Sequence, residues 1–434
     1  MMLRIEREKV RALFTLSLLV AGVAASAGGK RVFAIPMFAR RLGVACSTCH
    51  TSPPRLNETG YQFRAAGYRM PAEIGKSGEK KPFNFFDYNG VRLQARYDAT
   101  RARTGPDAPH DNNFNLFAAE LYAFTGPWGK YLSSNIKATI YPEKSYDTED
   151  HLRVEGNIKL TVGNENRFFE VRAGVPHPME GFGASDVTIA DSRPYLQEQA
   201  ANFNQSTFFT PWNFHQSGVT FGYYQGRTAV RALLLSGVRL HKDKDALEPF
   251  GRREPFTDSL PLSKHSGVDF QLLVNRILNF NGGAVTMYYY HGNMNIPIIR
   301  PDGTFQPDVA FRNDFDRVAF YASYPVAKRL TLLGGVLRGR DDIATGGRFT
   351  SLGAYTEAAV PVINDLTHAG VRVDWFDPAR NKNRNEMYGV TTYINLWLRD
   401  QFRFVVEYQR RERRLAPEPN KKDNLFQVRL IYIK

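Results

Sequence analysis

The sequence predicts a mainly β fold: an antiparallel transmembrane β-barrel of about sixteen strands, behind a small helical N-terminal domain. Three observations predict it. Residues 87–434 alternate apolar and polar with a period of two, the period of a pleated strand. The connections between the alternating stretches sort by length, short at one end and long at the other. Past residue 27 no apolar run is long enough for a membrane helix, and the mean hydropathy is −0.39. The 434 residues carry a net charge of +14, with 21 Tyr and 31 Phe, which excludes a disordered chain. Only two cysteines occur, which excludes a disulfide-stapled scaffold.

The first element is a leader. Arg4, Arg7, Lys9 and Arg11 open the chain, with Glu6 and Glu8 among them. An apolar stretch runs from Ala12 to Ala25, and Ala25-Ser26-Ala27 offers small residues at a cleavage site. Residues 1–27 therefore read as a secretory signal peptide, with a core too short to span a bilayer. Its removal takes four basic and two acidic residues and leaves +12. That balance suits lipopolysaccharide phosphates and acidic electron-transfer partners. Nucleic acid does not fit, since no basic patch with interleaved aromatics stands out in an exported chain.

The second element uses both cysteines. Cys46-Ser47-Thr48-Cys49-His50 is a C-x-x-C-H motif. Two thiols at this spacing can each add to one vinyl group of a single porphyrin, and the adjacent imidazole reaches the iron from the same side. The expected cofactor is one covalent haem c, with Cys46 and Cys49 as thioethers and His50 as the proximal axial ligand. A redox dithiol should instead follow a strand in a βαβ unit, and none is visible. Met70, in Gly67-Tyr68-Arg69-Met70-Pro71, is the candidate distal ligand, with Met37 as a weaker one; a distant histidine or an open site are alternatives. Leu56 to Ala66 reads as a short helix that could lay Phe63 on the porphyrin. Residues 28–86 thus form a monohaem c-type cytochrome domain, small enough to need support from something larger.

The third element is the barrel, residues 87–434. Val91, Leu93, Ala95 and Tyr97 share one face, and Arg92, Gln94, Arg96 and Asp98 the other. Val371, Val373 and Trp375 oppose Arg372 and Asp374; Phe402, Phe404, Val406 and Tyr408 oppose Arg403, Glu407 and Gln409; Phe426, Val428, Leu430 and Tyr432 oppose Gln427 and Arg429. Sixteen strands are drawn at 87–101, 113–125, 131–141, 151–162, 167–175, 216–224, 227–239, 267–278, 282–292, 314–325, 328–339, 350–361, 365–376, 384–398, 401–412 and 423–433. An even count with sorted loops is the outer-membrane barrel pattern, and both chain ends then lie on the short-turn, periplasmic side. Sixteen strands enclose an aqueous channel wide enough for the haem domain to enter as a plug. Arg92, Arg96, Lys137, Arg372, Arg403 and Arg429, with Asp269, Asp374 and Glu407, are expected to face the lumen. The longest connection, 176–215, carries His177, Met179, Glu180, Asp186, Asp191, Glu198 and His215, a donor set that could receive a metal ion, although ordinary loop polarity explains each residue.

An exported C-x-x-C-H domain followed directly by a barrel resembles the fused monohaem cytochrome–porins of the bacterial outer membrane, best known as iron oxidases. The resemblance rests on Ala34-Ile35-Pro36-Met37-Phe38-Ala39-Arg40-Arg41, the haem motif, Pro54-Arg55-Leu56-Asn57, Gly60-Tyr61-Gln62-Phe63 and Gly67-Tyr68. It implies a porin-like barrel in the outer membrane with the haem domain inserted from the periplasmic side. It further implies an electron carrier of the Fe(II):cytochrome c oxidoreductase type, taking electrons from extracellular Fe(II) and passing them to a periplasmic c-type cytochrome. Outward transfer to extracellular acceptors, and a solute-diffusion porin whose haem domain is a sensor or gate, are the alternatives.

Overall fold

The alternation drives the chain into strands whose two faces meet opposite solvents. The computed structural model describes residues 37–52, 55–76, 85–102, 110–140, 152–174, 188–198, 218–235, 271–280, 283–299, 305–327, 329–343, 347–363, 366–380, 386–398, 401–414 and 421–433. The expected leader lies outside the described residues. The barrel strands are β1 (Gly90–Ala102), β2 (His110–Trp128), β3 (Leu132–Ile140), β4 (Leu152–Gly163), β5 (Arg167–Gly174), β6 (Gly218–Gln225), β7 (Thr228–Leu235) and β8 (Gln271–Phe280). They continue as β9 (Gly283–Ile299), β10 (Phe305–Ala327), β11 (Leu330–Ile343), β12 (Gly347–Pro361), β13 (His368–Asp377), β14 (Met387–Leu398), β15 (Phe402–Arg413) and β16 (Lys421–Ile433).

Every strand pairs antiparallel with its sequence neighbours, and β16 closes the barrel on β1, from Asp423↔Ala102 to Ile433↔Arg92. Closure leaves no free edge, so the strands satisfy their backbone polar groups against one another. The outer face is apolar: Val154, Ile158 and Phe169 are 62%, 63% and 59% exposed. The residues between them point inward, where Lys159, Thr161, Glu170 and Arg172 are buried. An apolar exterior around a polar interior is what a lipid-spanning barrel requires, and no helix among the described residues is long and apolar enough to cross a membrane.

All sixteen expected strands are present. One end of the barrel carries turns of two to six residues (129–131, 164–166, 226–227, 281–282, 328–329, 362–367 and 399–401). At the other end two expected long loops shrink to 300–304 and 344–346, because β9 and β10 pair as far as Ile299↔Phe305 and β11 and β12 as far as Ile343↔Gly347.

Part of the lumen is packed rather than aqueous. Tyr288, Tyr290, Phe315, Leu333, Leu337 and Phe376 point inward and are buried. The described part of the longest connection, 188–198, lies against this wall: Ile189 and Ala190 pack on Leu333, Ala359 and Tyr393.

Candidate functional site: the C-x-x-C-H plug and the inward loop

Helix α1 (Met37–Leu42) leads into a single 3-10 turn, Cys46–Thr48, closed by the Cys49 N–H on the Cys46 carbonyl at 3.2 Å. His50 then begins a two-residue pairing, His50↔Leu56 and Ser52↔Arg55. Helix α2 (Glu58–Ala65) follows, as the sequence led one to expect. Asn57 fixes the junction. Its side chain accepts the Gly60 N–H at 3.0 Å as an N-cap, while its amide donates to the carbonyls of Ser47 and Thr48, each at 3.1 Å. Gly60 allows α2 to lie against the motif: a Cβ there would stand 2.1 Å from the Cys49 carbonyl oxygen.

The structure thus brings Cys46, Cys49 and His50 onto one turn. His50 Nδ1 lies 3.2 Å from the Arg55 carbonyl oxygen. A carbonyl only accepts, so Nδ1 is the donor, and in the neutral ring the lone pair then falls on Nε2, the atom a metal would use. Cys46 is buried and Cys49 half-buried, and burial pushes the Cys49 thiol up. A redox dithiol needs the opposite shift to form its thiolate.

Met70 belongs to a separate turn, Pro71–Glu73, where its N–H donates to Glu73 Oε2 at 2.8 Å. Met37 is buried at the start of α1. Phe63, which the sequence reading lays on a porphyrin, belongs to an aromatic trio: its ring meets Phe38 at 5.2 Å and Tyr68 at 5.9 Å, and Phe38 stacks on Tyr68 at 4.9 Å. The trio clamps α1 to α2, and Arg41 seals it by donating to the Tyr68 carbonyl at 2.6 Å.

This N-terminal stretch sits inside the short-turn end of the barrel. Lys159 of β4 donates to the carbonyls of Arg64 and Ala65 at 2.7 and 3.1 Å, a cation on the negative end of α2. Arg69 donates to the carbonyls of Gly129 and Leu132 at 2.9 and 2.6 Å, and Asn135 donates to the Tyr68 hydroxyl at 2.8 Å. Arg55, buried, donates to Ser323 of β10. Apolar contact completes the seat, with Ala65, Ala66 and Ile74 against Phe168, Tyr224 and Ala229. Sequence reasoning missed these wall residues. Lys159 had a signal, since it alternates with Ile158 and Leu160, but its partner, a helix end, carries none.

The inward loop is held by carboxylates on the far wall. Glu357 accepts the N–H groups of Ile189 and Ala190 at 2.9 and 3.1 Å and the Thr188 and Tyr393 hydroxyls. Glu407 accepts those of Asp191 and Ser192 at 2.9 and 3.1 Å. Arg372 binds Asp374 and the Ser192 carbonyl, at 2.8 and 2.7 Å. The expected lumen residues are therefore placed inside and paired: Arg92 with Glu120, Lys137 with Glu155 at 3.1 Å, Arg96 with Asp98 at 2.5 Å. Asp269 lies outside the described residues.

The possible metal set is not assembled. Asp191 is taken by Arg403 at 3.3 Å and Arg429 at 2.8 Å, two cations where a metal ion would have to stand. Glu198 ends the helical turn Tyr195–Glu198, and His177, Met179, Glu180, Asp186 and His215 lie outside the described residues. No group of three or more His, Cys, Asp or Glu suited to a metal occurs among the described residues.

A closed sixteen-stranded barrel with a loop folded onto its inner wall is the decisive geometry. The fold is that of outer-membrane porins. An anion-selective porin from Comamonas acidovorans is 10% identical with a TM-score of 0.52, over 79% of this chain and 99% of that one. OmpT of Vibrio cholerae in its trimer form is 12% identical with a TM-score of 0.52, over 80% and 99%. OprB of Pseudomonas putida is 10% identical with a TM-score of 0.50, over 81% and 95%. At such identities the likeness is one of fold alone. No protein-family model matches the chain, and no curated protein matches it in sequence.

Proposed function

We propose that this porin-fold barrel carries single electrons across the outer membrane on one haem c, held in its lumen by the plug. The observation that carries this reading is the His50 Nδ1 to Arg55 carbonyl hydrogen bond, which orients the imaidazole of a C-x-x-C-H motif as a metal ligand requires. Cys46 and Cys49 would supply the thioether links, His50 the proximal ligand and Met70 the distal one. Haem c supplies a reversible one-electron iron couple.

The chain's own residues position it. Lys159, Arg69 and Arg55 fix the plug to the wall, so a redox group on it keeps a constant depth. The bilayer core is about 30 Å thick, so a single centre serves both sides only from within the barrel. In this reading the short-turn end faces the periplasm, the plug enters from there, and a periplasmic c-type cytochrome is the partner. Extracellular Fe(II) is the donor: each ion gives up one electron and leaves as Fe(III) outside the cell, with no group transferred.

The likeness to porins, taken by itself, favours a second reading more directly: a solute channel with the plug as gate or sensor. Two measurements on the full-length protein in liposomes separate them. Electron transfer gives a haem c spectrum, covalently bound by mass, that reduces on adding Fe(II) with little solute-driven swelling. A gated channel gives swelling and no Fe(II)-dependent reduction.

A further inference from the structure

The outer wall of β14 to β16 changes character toward the long-connection end. Outward positions on β15 run Phe402, Phe404, Val406 and Tyr408, then Arg410 and Glu412, with Arg414 just past the strand's end. On β16 they run from Tyr432 back through Leu430, Val428 and Phe426 to Asn424 and Lys422. Register places Arg410 between Val390 and Asn424, and Glu412 between Tyr388 and Lys422. Three exposed rings, Tyr388, Tyr408 and Phe426, mark the border, as aromatic girdles do at a membrane surface.

Above that border the cations outnumber the carboxylates. Among the described residues Glu412 pairs with Arg414 at 3.4 Å and with Lys422 at 3.6 Å, and the exposed Arg410 stands on the same strip, so that three bases meet two acids, Glu412 and Glu386. Arg414 also lies over the Tyr388 ring at 5.0 Å, and its N–H donates to the Glu386 carbonyl at 3.0 Å. Tyr408 donates to Asn424 Oδ1 at 2.9 Å, which leaves the Asn424 amide NH2 group as the donor of that side chain. The outward charges of β10 to β12 differ: Arg338, Arg340 and Arg348 are matched by Asp314, Asp316 and Asp342, and Asp342 pairs with both Arg340 and Arg348.

We propose that Arg410, Arg414 and Lys422, with Asn424, bind the phosphate groups of a phosphorylated lipid in the leaflet at the long-connection end. The occupant is the lipid A headgroup, which presents phosphates where the apolar band stops. The proposal depends on which barrel end faces outward and not on the haem, so its outcome is independent of the electron-transfer test.

The test titrates full-length protein in detergent with lipid A bearing two phosphates, with lipid A stripped of both, and with inorganic phosphate, reading bound lipid by native mass spectrometry. Each cation near an anionic surface contributes roughly fivefold, so Arg410→Gln/Arg414→Gln/Lys422→Gln should lose on the order of 100-fold in affinity. Arg410→Gln alone should lose about fivefold. Arg340→Gln/Arg348→Gln should bind as the parent does, and inorganic phosphate should not compete. Heat-modifiable migration on gels confirms that each variant holds its barrel. Equal binding of dephosphorylated lipid A, an unaffected triple variant, or an equal loss in Arg340→Gln/Arg348→Gln would overturn the proposal.

Discussion

At the scale of single residues, the C-x-x-C-H motif was legible because Cys46, Cys49 and His50 fall within five residues, and the structure sets them on one turn. What it did not reveal was support: Asn57 bonding back to Ser47 and Thr48, and Gly60 under the Cys49 carbonyl, depend on a fold that brings α2 onto the motif. Gly60→Ala should lower the plug's stability by about 1–3 kcal/mol through overpacking, read as earlier proteolysis of the plug with unchanged heat-modifiable migration of the barrel. Asn57→Ala should cost about 1 kcal/mol as a lost cap, read as earlier proteolysis of the plug. The Cys49 thiol gives a pH test in haem-free protein. Burial raises its proton affinity, so the stability from burying the neutral thiol is intact below the ordinary thiol range and is lost as pH rises through it. Alkylation of Cys49 should therefore begin at higher pH than for an exposed thiol; alkylation at neutral pH would point to a redox dithiol.

At the scale of elements, period-two alternation located all sixteen strands, since one face of each is held to lipid. It fell short at the strand ends toward the long connections, where β9 and β10 go on pairing as far as Ile299↔Phe305, beyond the alternating stretch. The inward loop was legible in length but not in its seat, because Glu357 and Glu407 bind main-chain N–H groups, which leave no mark on the loop's own sequence. Glu357→Ala/Glu407→Ala removes four such acceptor contacts, each hydrogen bond to a charge being worth about 1.5–3 kcal/mol. The loop should release, and single-channel conductance in planar bilayers should rise; unchanged conductance would mean that packing on Leu333 and Tyr393 alone holds it. Lys159→Met removes the cation at the end of α2 and leaves Glu170 with Arg172 and Arg231, at 3.7 and 3.4 Å. That variant should loosen the plug to protease while the barrel keeps its heat-modifiable migration.

At the scale of the molecule, two fillers occupy one lumen. The plug takes the short-turn end against β2 to β7 and β10, and the loop 188–198 takes the wall from β11 to β16. The plug and the loop reach into the barrel from opposite ends, and both the redox reading and the gated-channel reading use that geometry. Transmembrane electron flow is tested most directly in liposomes with ferric cytochrome c sealed inside and Fe(II) added outside. The account expects the enclosed cytochrome to be reduced through the intact protein and not through Cys46→Ser/Cys49→Ser. No reduction, or equal reduction through the two proteins, would contradict it.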